Sequence, residues 1–323
     1  MKAKIDQLQL ELAAIEPDRK AVVGASSRDT LLGIAILIVG VLSAWMMLST
    51  ASPAAGGGII TGFLGVAIGG FLLWRAHSRK SEFMQGFKLR VIPRILDTIQ
   101  PGLDYSPGDG IPLSIFNASR LFSERADRYE VEDRITGRLE HTDFMLSEIH
   151  AQQRHTSTDG KGNTTTSYRT FFRGIFMQSD FHKHFRSTVR IMPNRTAFLG
   201  RFGRMLSGFR PFSHEKLLQF EDVDFEREFN VYGSDDLEAR YILTPGLMRR
   251  IVEIQQRWNH EVRLSFFDSC VCIAIQHGRN LFEPDLNRTT DCRQQLESLT
   301  AEIRACLGII DDLNLNTRIW TKT

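Results

Sequence analysis

The stretch DTLLGIAILIVGVLSAWMMLSTASPAAGGGIITGFLGVAIGGFLLWR, from Asp29 to Arg75, carries no charge between its two end residues. Inside it lie two apolar runs, Leu31 to about Ser49 and about Gly56 to Trp74, joined by the small-residue connector STASPAAGG. At a helical rise of ~1.5 Å per residue each run reaches ~28 Å, about the hydrocarbon thickness of a bilayer. The pattern predicts a helical hairpin that spans a membrane. A cleaved leader is short and basic, whereas here a helix-forming stretch precedes the first run. A hairpin buried in a soluble core is the other option, and consecutive uncharged runs of this length are uncommon in cores.

The flanks give the orientation. Arg19, Lys20 and Arg28 precede the first run, and Arg75, Arg79 and Lys80 follow the second, while the connector has no Lys or Arg. Positive residues favour the cytoplasmic side, so both termini are expected in the cytoplasm and only the connector outside. Three segments follow: an amphipathic helix and linker over 1–28, the transmembrane hairpin over 29–80, and a cytoplasmic domain over 81–323. The four cysteines are too few for a disulfide scaffold, and a reducing cytosol keeps them as thiols. A net charge of +2 sets up no single-sign field that demands nucleic acid.

Ahead of the first run, Ile5, Leu8, Leu12 and Ile15 recur at three- and four-residue steps, one apolar stripe on a helix expected to end near Pro17. Such a helix lies on the domain or the membrane surface, or makes a short contact between protomers. In the second run Gly58, Gly62, Gly65 and Gly69 share one side at GxxxG spacing, which lets helix backbones approach closely in lipid. They serve packing within the hairpin or, through a second face, a homo-oligomer. Neither run holds an ionisable group, which argues against an ion pathway built from the hairpin alone.

Beyond the anchor an amphipathic helix is expected around Glu82 to Ile92, interrupted by Pro93 and resumed to Ile99. GLDYSPGDGIP then reads as a loop. Thr142 to His155 and Thr164 to Met177 flank a polar turn and predict a long β-hairpin. Gly160-Lys161-Gly162 in that turn fails the spacing of a phosphate loop. Thr188 to Met192 and Glu228 to Tyr232 read as strands. Thr244-Pro245 starts a helix with the stripe Leu247, Ile251, Ile254 and Trp258. Val262 to Phe266 and Val271 to Ile275 form a second hairpin about Asp268-Ser269, and a final helix runs from about Asp291. The fold class is α+β: a two-helix transmembrane hairpin followed by a mainly antiparallel cytoplasmic domain.

Several motifs recur in a fixed order: RGIF (Arg173 to Phe176), DFHK (Asp180 to Lys183), TVRIMP (Thr188 to Pro193), DVDFEREFNVY (Asp222 to Tyr232) and DLEARYILTP (Asp236 to Pro245). Ser265-Phe266 and LFEP (Leu281 to Pro284) complete the set. This order resembles the bacterial family catalogued as domain of unknown function three-one-three-seven, from roughly Phe83 to Pro284. The resemblance implies two spans near the N-terminus, a cytoplasmic body and an association with LemA-type membrane proteins. It brings no catalytic residue with it.

The residues themselves give few chemical leads. Glu238 and Arg240 are two apart and on a strand would share a face, as a register-setting pair or a substrate clamp. Asp180, His182 and His184 come nearest to a metal set, two His at i, i+2 on a strand with a carboxylate nearby. Cys270 and Cys272 lack the second pair a zinc site needs and read as buried thiols. No nucleophile elbow or nucleotide fingerprint appears, and no cofactor is expected. The basic residues Lys183, Arg186, Arg190, Arg201, Arg204 and Arg210 interleave with phenylalanines. That mixture suits an anionic leaflet, single-stranded nucleic acid less so, or internal docking on the acidic segment Glu221 to Glu238. The sequence thus points to a membrane-anchored interaction or scaffold protein, with a membrane-tethered enzyme using Asp180, His182 and His184 as the alternative.

Overall fold

The structure, a computed structural model, describes residues 2–49, 55–160, 162–194, 214–283, 292–313 and 315. It divides into two compact units, one of residues 1–98 and 283–299, the other of 99–282 and 300–323.

The first unit is built on two long helices, α1 (Lys2–Ser49) and α2 (Ala55–Ile99). Both contain a stretch long and apolar enough to cross a membrane, within Glu16–Met46 and Ile60–Ile99. The helices pack antiparallel through their smallest residues. A Cβ on Gly65 would lie 2.8 Å from the Gly40 Cα, one on Gly69 would lie 2.8 Å from the Gly33 carbonyl oxygen, and one on Gly62 would lie 2.9 Å from the Ala44 Cβ. Backbones this close leave no room for larger side chains. Ser43 Oγ and Thr61 Oγ1, 3.3 Å apart, add a polar contact across the pair.

Two sequence expectations are corrected here. The first helix does not end near Pro17, and α2 is not interrupted at Pro93; both prolines lie inside continuous helices. A helical proline costs about 3 kcal/mol through a lost hydrogen bond and a clash. At Pro17 the bidentate ion pair from Arg19 to Glu16, at 2.7 and 2.8 Å, bridges the defect. At Pro93 the flanking Ile92, Ile95 and Leu96 are all buried, which offsets the loss. The side chains of Ile5, Leu8, Leu12 and Ile15 lie outside the described residues.

The second unit is a nine-stranded sheet with every pairing antiparallel. Its strands are β1 (Asp104–Ser106), β2 (Arg128–Leu139), β3 (Thr142–Thr158), β4 (Thr164–Asp180), β5 (Val189–Pro193), β6 (Lys216–Leu218), β7 (Phe229–Gly233), β8 (Val262–Phe267) and β9 (Cys270–Gln276). Their order is β1-β2-β3-β4-β9-β8-β5-β7-β6. The two predicted hairpins are β3–β4 and β8–β9. Asp268 and Ser269 both take positive φ (48° and 57°), the backbone of a tight two-residue hairpin turn. Gly174 is demanded by the approach of β9, since a Cβ there would meet the Ile275 carbonyl oxygen at 2.0 Å.

The core beneath this sheet is aromatic. Phe116, on the short helix α3 (Leu113–Ala118), stacks on Phe122 at 5.1 Å and tilts against Phe172 and Phe176 of β4. Ile149, Ala151, Cys272 and Ala274 from β3 and β9 complete the cluster. Two short helices, α4 (Val223–Glu228) and α5 (Asp236–Ile242), flank β7. The helix α6 (Pro245–Trp258) is capped by Thr244, which accepts from the Leu247 amide, and it buries Leu247, Ile251 and Ile254 as its spacing predicts. The last helix, α7 (Cys292–Asp312), ends where Asp312 meets Arg250 and Arg257 of α6.

Candidate functional site

The residues that bound the uncharged stretch prove to be partners. Asp29 on α1 is buried and accepts two bonds from Arg75 on α2 (Nε to Oδ2 3.0 Å, Nη2 to Oδ1 2.7 Å) and one from Arg79 (2.8 Å). Bidentate guanidinium–carboxylate geometry is the strong form of this contact. It locks the register of the two helices at one end of the apolar pair. Gly33, Gly40, Ala44 and their opposites on α2 set the same register inside it. The glycines Gly62, Gly65 and Gly69 therefore face α1 of their own chain, whereas a Cβ on Gly70 would meet nothing within 4 Å. The surroundings of Gly58 lie outside the described residues. Just past the clasp α1 and α2 frame a groove of about 450 Å³, floored by Ala21, Ala25, Phe83, Gly86 and Phe87, with Arg79, Arg90, Asp18 and Glu82 among its lining.

Among the described residues the basic–aromatic stretch does not form one surface. Arg201, Arg204 and Arg210 lie outside the described residues. Arg190, on β5, is wholly buried: it pairs with Glu215 through two nitrogens and donates from Nη1 to the Arg120 carbonyl at 2.7 Å. Lys183 is buried too, donating from Nζ to the Tyr241 carbonyl at 2.6 Å, and burial holds its pKa below the usual lysine range. Phe181 and Phe185 pack edge to face at 6.0 Å. Arg186 is exposed, and its own amide, with that of Ser187, donates to the Glu238 carboxylate. Segment 183–187 thus docks on α5, within the acidic segment. These bonds hold the Glu238 carboxyl below its ordinary range.

That arrangement corrects the strand expected at Glu238 and Arg240. Asp235 accepts the Leu237 and Glu238 amides as an N-cap and starts a helix, α5. Residues two apart on a helix point to different sides. Glu238 accordingly turns to 186–187, and Arg240 turns to Asp236 at 3.0 Å and to the Gln219 carbonyl. The supposed clamp never forms.

The metal candidates fare likewise. β4 ends at Asp180, so His182 and His184 lie past the strand and lose its two-residue alternation. His182 Nδ1 is 3.3 Å from Asp180 Oδ2 and its Nε2 is 3.3 Å from Thr142 Oγ1, while His184 is exposed. Among the described residues, no three His, Cys, Asp or Glu side chains are placed to hold a metal ion. Cys272 and Cys306 are buried thiols, and burial pushes both pKa values well up, away from nucleophile chemistry.

One polar cluster was not singled out in the sequence. Glu148, nearly buried on β3, accepts the amides of Leu281 and Phe282 and fastens the chain after β9 to the sheet. Beside it His150 bridges Glu130 (3.2 Å) and Thr170 (2.8 Å), and Arg173 holds Asn280 at 3.0 Å. Its signal was the two-residue spacing of Glu130 with Glu132 and of Glu148 with His150, which puts each pair on one face of its strand. The cleft among them is only about 70 Å³, far below the volume of a small-molecule site. The cluster is a structural fastening.

Residues 170–315 match the family model described as protein of unknown function, DUF3137. No curated protein matches the chain. Among solved structures it is similar to the mycobacterial trehalose monomycolate transport factor A, TtfA, at 11% identity and a TM-score of 0.33, over 69% of this chain and 96% of that one. A likeness that low carries no argument.

Proposed function

We propose that this chain is an interaction or scaffold protein of the bacterial inner membrane, anchored by its helical hairpin, with both termini and the α+β unit in the cytoplasm. The observation that carries the reading is the inverted hairpin. Its large apolar side chains point outward, Phe63 at 74% and Trp45 at 70% exposure, while Gly33, Gly40, Gly62, Gly65 and Gly69 point inward. Burying such side chains relative to water is worth about 1.5–3 kcal/mol each, so an aqueous surroundings would oppose this layout and hydrocarbon rewards it. Orientation follows from the flanking cations. The groove beyond the Asp29 clasp, with two arginines, two carboxylates and two phenylalanines, falls where headgroups would meet the helices.

The test is selective labelling in intact cells of the full chain. A cysteine introduced in the connector, Ser52→Cys, should react with a membrane-impermeant maleimide, and Ser157→Cys in the second unit should react only after lysis. Labelling of Ser157→Cys from outside, or recovery of the chain from the supernatant after alkaline extraction, overturns the reading. For the interaction part, crosslinking in native membranes should join the chain to a protein partner at fixed stoichiometry. The LemA-type membrane protein is the first to probe.

A further inference from the structure

The β3–β4 hairpin outgrows its sheet. β2 accompanies β3 only as far as Gln152, and β9 accompanies β4 only from Gly174. Beyond those points Gln153–Thr158 pairs with Thr164–Arg169 alone, a ribbon of ~20 Å in which both faces are exposed. A two-stranded ribbon with no packed face is marginal in water. Something is expected to cover it.

Its two edges are finished differently. On the β3 side, where β2 departs, the Asp127 amide donates to the Gln152 carbonyl at 2.9 Å, and the Asp127 carboxylate accepts the Arg154 amide at 2.7 Å. A carboxylate on the next edge amide blunts that edge. On the β4 side, Thr164 to Thr170 has no neighbouring strand among the described residues and carries no proline, lysine or carboxylate; its charge is Arg169, and the bulge of the β3–β4 pair falls just past it, at Phe171. Its residues, TTTSYRT, favour extended pairing.

We propose that this open edge docks on the same edge of a second copy of the chain, antiparallel about a two-fold axis through Ser167. In that register Thr164 faces the partner's Thr170, Thr165 faces the partner's Arg169, and Thr166 faces the partner's Tyr168. The edge is self-complementary, because its one charge, Arg169, meets a threonine rather than another arginine. A two-fold contact uses the same patch on both copies, as a symmetric dimer requires. Seven paired residues make a small interface, below what holds partners together when free in water. Confinement of both copies to one bilayer supplies the effective concentration that is missing, so the inference rests on the membrane reading above. The GxxxG face of α2, already occupied by α1, is not needed for it.

The experiment is oxidative crosslinking of the full chain in native membranes, with the unsubstituted chain as background for its own cysteines. Directly opposed residues of an antiparallel pair lie about 4.5–5.5 Å apart between Cα atoms, within disulfide reach. Ser167→Cys should therefore give a disulfide-linked dimer. Thr156→Cys, on the far strand one residue beyond His155, the partner of Ser167, is ~16 Å from its counterpart across three strand spacings and a two-residue offset, and should give at least about tenfold less. A maximum displaced to Thr165→Cys or Arg169→Cys, with Thr156→Cys still low, also supports edge pairing, with the axis moved by two residues. Equal yields at Ser167 and Thr156, no dimer at all, or a mixed adduct with an acidic protein in place of the dimer overturns the proposal. Chain that pellets with membranes but does not crosslink refutes only the docking edge, and chain that fails to pellet refutes the anchor.

Discussion

The helical hairpin and the nine-stranded unit put their residues in opposite places. In the hairpin the bulky side chains Leu31, Trp45, Phe63 and Trp74 face out and Gly33, Gly40, Gly62, Gly65 and Gly69 face in. In the sheet unit Phe116, Phe172 and Phe225 are at most 2% exposed, and the outward positions of the β3–β4 ribbon are threonine, serine, glutamine, arginine and histidine, with Tyr168 as its aromatic. The same chain cannot obey both rules in one solvent. Where water surrounds a fold, apolar area moves inward. Where hydrocarbon surrounds it, apolar burial gains nothing, and close backbone packing between small residues decides the contact.

The sharpest way to break this comparison is to shave one phenylalanine in each region. Phe116→Ala empties the centre of the aromatic cluster and should cost about 4 kcal/mol, read as a large fall in the denaturation midpoint of the sheet unit in detergent. Phe63→Ala removes a side chain that touches only the surroundings and should cost less than about 1 kcal/mol. Equal losses would mean that Phe63 is packed against protein, and the inverted hairpin would no longer stand.

The converse experiment enlarges small residues. Gly65→Leu drives a side chain into the Gly40 backbone and should destabilise the hairpin by about 3 kcal/mol, because backbone cannot yield as a rotamer can. Gly70→Leu, five residues on, meets nothing and should be neutral or aid insertion. Proximity of fluorophores on α1 and α2 separates the two outcomes. Asp29→Asn comes next. It leaves Arg75 and Arg79 with a neutral partner and should destabilise the hairpin less than Gly65→Leu does, and less than for a fully buried pair, because both guanidinium groups are partly exposed. Glu in place of Asp29 should recover part of that loss.

The two regions also differed in how far their sequences could be read. The hairpin was legible because its signal is continuous: uncharged runs of fixed length bounded by Asp29 and Arg75, which turn out to touch. Strands with regular alternation and turn residues, such as β8 and β9 about Asp268-Ser269, were legible for the same reason. Arg190 was not. Its burial depends on Glu215, 25 positions along the chain, and on the Arg120 carbonyl, and nothing local distinguishes it from the exposed Arg186 four residues earlier. Glu238 and Arg240 misled because a short helix and a strand both accept DLEARYI. The deciding feature was the cap at Asp235, which settles the backbone before any side-chain pairing is chosen. Distant polar pairing, as in Glu148 with the amides of Leu281 and Phe282, is set by topology and leaves no periodic trace.

The smallest expected effect sharpens the contrast from the side of charge. The hairpin keeps its charges at the clasp, whereas the sheet unit half-buries an imidazole. His277, just past β9, packs its ring 4.6 Å from that of His260, and its Nδ1 is buried without a hydrogen-bond partner among the described residues. Burial above all, then the neighbouring His260 and Arg279, lowers its pKa from 6.5 to about 4. A base whose pKa is depressed by folding binds fewer protons in the folded state than in the unfolded state between those two values. Stability should therefore be constant with respect to this group above pH 6.5 and decline as pH falls from 6.5 toward 4. Because the ring is only partly buried, the loss should stay within about 1 kcal/mol. Urea midpoints of the sheet unit at pH 7 and pH 4.5 measure it, and His277→Gln should flatten that part of the profile. His260→Asn should flatten it less, since it removes the second of the three causes and leaves burial in place. A profile that rises on acidification, or one unmoved by His277→Gln, would place the titrating group elsewhere.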